Sequence, residues 1–357
     1  MPTLDPPFGV IPTTPDELTR TWLATILTRY GFSAAVEAIE FRLPSASSLS
    51  SEILRVIPRF QDETTGVTPA LLWKRSADDQ RRREAFERGY AAEVEFYREI
   101  ASRIDVSVPR CLAAAYEQET GAHVLLLEDL APSTPGDFIQ GISSDEAKLT
   151  LREFARLHAA RWTDVAAPQG STGNLVGHQV FVEQHAALSA PYLTEHVDNR
   201  APERTRRYAD EEAEHLAVLA AGPQTFIHGD AHPANVIFPH SSTARPHLVD
   251  WQRSRVDAPL RDVARFLILA LSTEERRAHE QALLSNYLDQ LRANGSSYDA
   301  PNAARDYRIA STLEWGWAVA FVRHESIWDR DTRAVMPMLV KRIAAAFDDV
   351  TLERDRA

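Results

Sequence analysis

His228-Gly229-Asp230-Ala231-His232-Pro233-Ala234-Asn235 places a carboxylate and a carboxamide in one polar loop, and Asp250-Trp251-Gln252 adds a second carboxylate downstream. Two short β-prone runs flank the loop, Thr225-Phe226-Ile227 before it and Val236-Ile237-Phe238 after it. A third run, His247-Leu248-Val249, delivers Asp250 at its end. Asp, Asn and Asp are oxygen donors, the set that suits a hard cation such as Mg²⁺. The pattern reads as a catalytic loop followed by a metal-binding hairpin. A metal-dependent hydrolase is the competing use of the same residues, with His228, Asp230 and His232 on alternate positions and His240 and His247 nearby. The transition-metal motifs H-E-x-x-H and H-x-E…P-C-x-x-C are both missing, which weighs against it.

An Asp with an Asn five positions on, then an Asp at a strand end, is the spacing of H-R-D-x-x-x-x-N and D-F-G in protein kinases. Here Gly229 stands where those enzymes carry Arg, and no A-P-E or activation segment lies between Asp250 and Asp262. The loop instead resembles the H-G-D-x-H-x-x-N of the aminoglycoside phosphotransferase and choline-kinase-like superfamily at every fixed position. Asp250-Trp251-Gln252 is most similar to the D-[WF]-Q of its ecdysteroid-kinase-like, CHK-type branch. The resemblance implies an α+β, bilobal protein-kinase-like fold with a small β-rich N-lobe and a larger, mostly helical C-lobe. It implies an ATP-dependent small-molecule kinase that moves the γ-phosphate to a hydroxyl. In that scheme Asp230 accepts or orients the hydroxyl proton, and Asn235 and Asp250 hold Mg²⁺. His228 braces the loop, and His232 either touches the acceptor or holds the loop.

The chain has 357 residues, enough for two lobes around a cleft. A net charge of −12 argues against a general nucleic-acid binder, which carries a basic stripe. Cys111 is the single cysteine, so no internal disulfide forms and a reducing cytoplasm fits. The acidic, Pro-rich start Met1-Pro2-Thr3-Leu4-Asp5 carries no basic-then-apolar signal, and runs such as Phe266–Leu271 are too short to span a membrane. The expectation is a cytoplasmic protein with no membrane or nucleic-acid partner; the sequence assigns no oligomeric state.

The upstream half must then supply a phosphate lid, a Lys, a Glu and a hinge. Leu18 to Tyr30 reads as a helix closed by Gly31. The Ser-rich turn 45–51 precedes the β-prone Glu52–Ile57; with no Gly in the turn, Ser50 and Ser51 are the candidate phosphate contacts. Pro69–Lys74 reads as a strand ending on Lys74, the candidate for the ATP phosphates. The helix from about Arg83 to Ile104 has an apolar stripe of Phe86, Tyr90, Tyr97, Ile100 and Ile104. Glu93 falls inside that stripe, and a carboxylate there needs a cation. Glu93 also fits the family's E-x-x-F-Y, which makes it the partner for Lys74. Leu126-Leu127-Glu128-Asp129-Leu130 resembles the L-L-E-D-L hinge whose backbone binds adenine, so Glu128 and Leu130 mark that region. Ala131–Gly136 breaks the pattern, giving an N-terminal lobe of 1–130 and a C-terminal lobe of 131–357.

In the second lobe, Ser143-x-x-Glu146 is a capping box opening a helix to about Trp162. His158 on its apolar face reads as a core histidine bonded to backbone. Residues 181–220 have helical spacing interrupted at Pro191 and Pro202. Asp262 fits a helix N-terminus as a cap, and Asp257 stands where the family usually has Gly. Trp315, Trp317, Phe321 and Trp328 are spaced to line an acceptor pocket or simply to pack a helix. The acceptor expected is an antibiotic, another natural product or an amino alcohol, with antibiotic resistance as one consequence. A catalytically silent kinase-fold binding protein is the alternative, although the Lys, Asp and Asn positions are all filled.

Overall fold

Strand-forming residues between Val36 and Glu128 build one antiparallel sheet in the order β1-β2-β3-β5-β4. The strands are β1 (Val36–Arg42), β2 (Ser51–Phe60), β3 (Leu71–Ser76), β4 (Cys111–Glu117) and β5 (Ala122–Glu128). The computed structural model describes residues 3–32, 35–43, 51–61, 70–160, 176–241, 244–323, 325–328 and 330–354. The chain divides into two compact units. The first comprises Met1–Arg103, Val108–Pro132 and Val249–Arg253; the second comprises Ile104–Ser107, Ser133–Leu248 and Ser254–Ala357. The short excursion 249–253 therefore carries Asp250 into the first unit, although its neighbours in sequence belong to the second.

In the first unit, helix α1 (Arg20–Arg29) starts at Thr19, whose hydroxyl accepts the Trp22 N–H. It lays Trp22, Leu23, Ile26 and Leu27 against Val56, Leu71, Trp73, Leu112 and Leu126 of the sheet, all of them buried. Helix α2 (Gln80–Glu95) contacts β4 and β5 and continues through a π-turn, Phe96–Ile100. Lys74 lies inside β3 rather than at its end, paired across the sheet with Ile53 and Leu125. Burial of Leu71 and Trp73 on the same strand fixes that register, because a one-residue slip would turn them outward.

The second unit is mostly helical. β6 (Thr134–Pro135) precedes α3 (Ser144–Ala159), α4 (Val176–His196) and α5 (Ala201–Ala221). The capping box at Ser143 and Glu146 forms in both directions. Pro191 lies within α4 and does not interrupt it, whereas Pro202 sits in the first turn of α5, where the missing N–H is harmless. Next come β7 (Thr225–Ile227), β8 (Val236–Phe238), β9 (His247–Leu248) and β10 (Arg255–Asp257). β8 lies between β6 and β9, and β7 pairs with β10. The chain ends in α6 (Leu260–Ala270), α7 (Thr273–Ala293), α8 (Ala300–Val322) and α9 (Arg330–Arg354). A core shared by α4, α5, α6, α8 and α9 includes Leu193, Tyr208, Ile268, Leu313, Trp315, Val340 and Phe347. Asp257 ends β10 opposite Thr225 and is not among the residues of positive φ, so this turn needs no Gly.

Candidate active site

An ammonium buried in a sheet demands carboxylates, and Lys74 meets two within its own unit. Its Nζ lies 2.7 Å from Glu93 Oε2 and 3.0 Å from Asp250 Oδ1. Lys74 is 5% and Glu93 1% exposed, so this pairing is well shielded from water. Burial alone would push the Lys74 pKa down, but Asp250 and then Glu93 outweigh it and the pKa is raised. Burial pushes the Glu93 carboxyl up, against the pull of Lys74. One ammonium is thus shared between two carboxylates. The half-exposed member is Asp250, with 30% of its side chain open, so a further cation would be met there.

Asp250 itself is held in an uncommon backbone conformation, φ 66°, outside the regions most L-residues favour. Conformations of this kind cost on the order of 1–3 kcal/mol and persist where the surroundings enforce them. The enforcement comes from the next two residues. Trp251 is fully buried and stacks on Phe96 of the π-turn at 3.7 Å between ring centroids, while its N–H donates to Glu93 Oε1 at 3.3 Å. Gln252 donates to Ser51 Oγ at 3.1 Å. Gly89 on α2 permits this approach, since a Cβ there would lie 3.1 Å from Gln252 Cβ. Ser51 is thus the first residue of β2 and a buried anchor for Gln252, while Ser50 and the rest of the Ser-rich turn lie outside the described residues.

In the hinge segment, the Glu128 N–H donates to Arg110 O, and the Glu128 carboxylate accepts the Arg110 N–H at 2.9 Å. The Asp129 N–H goes to Ala70 O, and Asp129 forms an ion pair with Arg55. Glu128 therefore serves the edge of the sheet, and Leu130, half-buried, follows as the segment leaves it.

The loop in the second unit is organised by α6. Asp262 Oδ2 accepts the His228 N–H at 2.6 Å and Oδ1 accepts the Gly229 N–H at 2.8 Å. This corrects the reading of Asp262 as a cap for its own helix: its carboxylate holds the loop instead. Gly229 has φ 78°, a conformation in which a side chain is strained, and this accounts for Gly where protein kinases have Arg. Burial would raise the Asp262 pKa, but His158, His228 and the Gly229 N–H outweigh it and hold the carboxyl below the usual range. His158 is buried, with Nε2 3.2 Å from Asp262 and Nδ1 2.9 Å from the Tyr287 hydroxyl. Its partners are side chains, not the backbone expected from sequence; Trp162, the end of that motif, lies outside the described residues.

Within the loop, His228 Nδ1 accepts the Asp230 N–H at 3.3 Å, so His228 braces it. Asn235 Nδ2 donates to Asp230 O at 3.0 Å, which turns the amide nitrogen inward and leaves the amide oxygen as the group able to meet a cation. His232 stands with Nε2 3.8 Å from Asp230 Oδ2 and its ring 4.9 Å from that of Phe138. Asp230 Oδ1 receives Arg265 Nη2 at 2.8 Å, and Arg265 Nη1 lies 2.6 Å from Glu314 Oε2 on α8. Burial disfavours the Arg265 charge, but Glu314 and then Asp230 outweigh it. Sequence reading passed over Arg265 and Glu314. The available signal was an Arg inside the apolar run Val263–Leu267, the same kind of anomaly that singled out Glu93.

Of the late aromatics, Trp315 is core, donating to Thr205 Oγ1 at 3.0 Å. Trp317, Phe321 and Trp328 stack in succession at 4.9 and 5.5 Å, and Tyr192 meets Trp328 edge-on. Among the described residues no three His, Cys, Asp or Glu side chains converge as a metal site, and His247 bonds Ser107 at 3.0 Å instead.

The model of the phosphotransferase enzyme family, APH, matches residues 65–300, more than half of the chain. The chain belongs to that family. Among curated proteins none matches this phosphotransferase. Among solved structures it is similar to a choline kinase from Cryptosporidium parvum Iowa II, at 12% identity over 89% of each chain with a TM-score of 0.52. It is also similar to a putative aminoglycoside phosphotransferase from Ralstonia eutropha JMP134, at 14% identity over 91% of this chain and 98% of that one, TM-score 0.51. A third likeness is to the GDP complex of aminoglycoside 2′-phosphotransferase-IIIa, at 11% identity over 94% and 99%, TM-score 0.51. The phosphotransferase has their protein-kinase-like α+β fold, with the sheet in its N-terminal part and helices dominating the C-terminal part. No helix among its described residues is long and apolar enough to cross a membrane.

Proposed function

We propose that the chain is an ATP-dependent O-phosphotransferase acting on a small-molecule alcohol. The observation that carries the reading is the buried Lys74–Glu93–Asp250 cluster, which keeps one ammonium ready for phosphate oxygens and presents the carboxylate of a half-exposed Asp. Lys74, oriented by Glu93, would neutralise the α- and β-phosphates of ATP. The Asp250 carboxylate and the Asn235 amide oxygen are hard oxygen donors that fit Mg²⁺, which usually keeps few protein ligands beside phosphates and water. When bound, Mg²⁺ supplies charge neutralisation across the phosphate oxygens. Asp230 would receive or orient the proton of the acceptor hydroxyl, with His232 beside it. Phosphoryl transfer asks little covalent work of the protein, so orientation and charge carry the rate.

The family match and a fold neighbour solved with GDP support nucleotide use. The acceptor is a free small molecule met in the cytoplasm, with no role for nucleic acid or membrane. The neighbours' choline and aminoglycosides enter the first test panel alongside ethanolamine, macrolides, sugars, nucleosides and sterols. The experiment is nucleotide consumption, with ATP and with GTP, across that panel. One or more alcohols should stimulate ADP release, and Asp230→Asn should reduce it about 10³-fold. Tight nucleotide binding without turnover of any alcohol would favour a silent binding protein instead.

A further inference from the structure

We propose that Arg265 is a positioning residue for Asp230, holding the catalytic carboxylate at a fixed angle through Glu314 and Trp317. The proposal rests on the phosphotransferase reading above. α6 is almost wholly buried: Val263, Ala264, Phe266, Leu267, Ile268 and Leu269 are each 1% exposed or less, and Arg265 among them is 5% exposed. A guanidinium in such a place is retained only if its charge is met. The charge and both Nη groups are met from different sides, while the buried Nε has no hydrogen-bond partner among the described residues. Nη1 is 2.6 Å from Glu314 Oε2, Nη2 is 2.8 Å from Asp230 Oδ1, and the guanidinium carbon is 4.4 Å from the centroid of the Trp317 ring.

The three contacts restrain different motions. Glu314 and Trp317 are three residues apart on α8, so they share one helix face and together set the plane and the in-plane rotation of the guanidinium. A planar fork fixed in this way leaves its second N–H direction no freedom, and that direction ends on Asp230 Oδ1. Asp230 Oδ2 then faces the side where His232 Nε2 lies at 3.8 Å. The backbone is held from the same helix. Asp262, three residues before Arg265 and so on the same face of α6, accepts the N–H groups of His228 and Gly229. One face of α6 thus grips the loop twice, by its main chain and by its carboxylate. A purely structural ion pair would need no aromatic platform and no alignment with the loop's backbone anchor.

The test compares Arg265→Gln, Arg265→Lys and Glu314→Gln with the unsubstituted chain, using Mg·ATP and each alcohol of the panel and reading ADP release. Mg·ATP affinity is measured in parallel by calorimetry, together with the side-chain ¹⁵N signal of Arg265 and that signal in Asp230→Asn. The expected result for Arg265→Gln is a fall of about 100-fold in kcat, the scale of a misplaced catalytic group, with KM for ATP unchanged. Arg265→Lys should recover part of the loss. Glu314→Gln, which acts on the loop only through Arg265, should lower kcat about tenfold and loosen the Arg265 signal. If Arg265→Gln fails to fold, Glu314→Gln decides. Wild-type kcat in a folded variant, a loss confined to KM, or an Arg265 signal indifferent to Asp230→Asn would each overturn the positioning role alone. If the unsubstituted chain phosphorylates no alcohol, the phosphotransferase reading falls and the role of Arg265 falls with it.

Discussion

In each unit a candidate-site cation is buried between two carboxylates, and in each the arrangement is graded in the same way. In the first, Lys74 lies between Glu93, 1% exposed at its side chain, and Asp250, 30% exposed. In the second, Arg265 lies between Glu314, 7% exposed, and Asp230, 23% exposed. The buried carboxylate fixes the cation, and the half-exposed one is presented to whatever binds. The difference lies in the cation. An ammonium is a compact charge on a flexible stem that can shift from Asp250 toward phosphate oxygens; a guanidinium is a rigid fork that fixes the direction of its partner. The first cluster suits charge neutralisation and the second suits aim.

The contrast can be broken at each member. Asp230→Asn should leave Mg·ATP affinity unchanged while turnover falls about 10³-fold, as measured by calorimetry and ADP release. A loss of nucleotide affinity there would merge the two roles. Glu93→Ala removes the buried partner of Lys74 and should cost about 3 kcal/mol of stability, read from the urea midpoint. A change within about 0.5 kcal/mol, the scale of surface substitutions, would show that this pair is not a shielded one. Asp250→Ala should weaken Mg·ATP binding by roughly 10- to 100-fold, the range for a lost metal-site partner, and unchanged affinity would remove Asp250 from that site.

The smallest effect concerns the anchor beneath the second cluster. Asp262→Asn should cost about 1–3 kcal/mol near neutral pH, because the buried N–H groups of His228 and Gly229 then face a weaker acceptor. The Asp262 pKa is lowered in the folded chain, so its contribution is complete above the unfolded value of about 3.9 and is lost as pH falls through the lower folded value. The stability gap between the unsubstituted chain and Asp262→Asn should therefore close only below about pH 4. A gap that is constant down to that range would mean that the charge is not what holds the loop.

How legible these clusters were in the sequence follows from how each residue advertises itself. Glu93 could be read because a carboxylate interrupts an apolar stripe on a helix of known period, and Lys74 because an ammonium interrupts a strand. Arg265 interrupts α6 just as plainly, but its partners belong to a loop and to α8, and no periodicity names them. Trp251 read as a family marker; its burial on Phe96 makes it the packing anchor that holds Asp250 in its left-handed conformation. Asp262 was read locally, as a helix cap, because a helix start is visible in sequence and the loop that packs against it is not.

Spacing within one contiguous segment was enough to mark the loop from His228 to Asn235 and the residue types available for phosphoryl transfer, and the family resemblance of that segment implied the α+β class. Over a few residues, backbone geometry alone decides which side chains can share a site. Beyond the Lys74–Glu93 pair, which carboxylate meets which cation was settled only by folding: Lys74 and Asp250 are 176 positions apart, and Arg265 lies 35 from Asp230 and 49 from Glu314. Such pairings depend on how helices and strands dock. A buried charge states that it needs a partner, and the packing of the rest of the chain selects it.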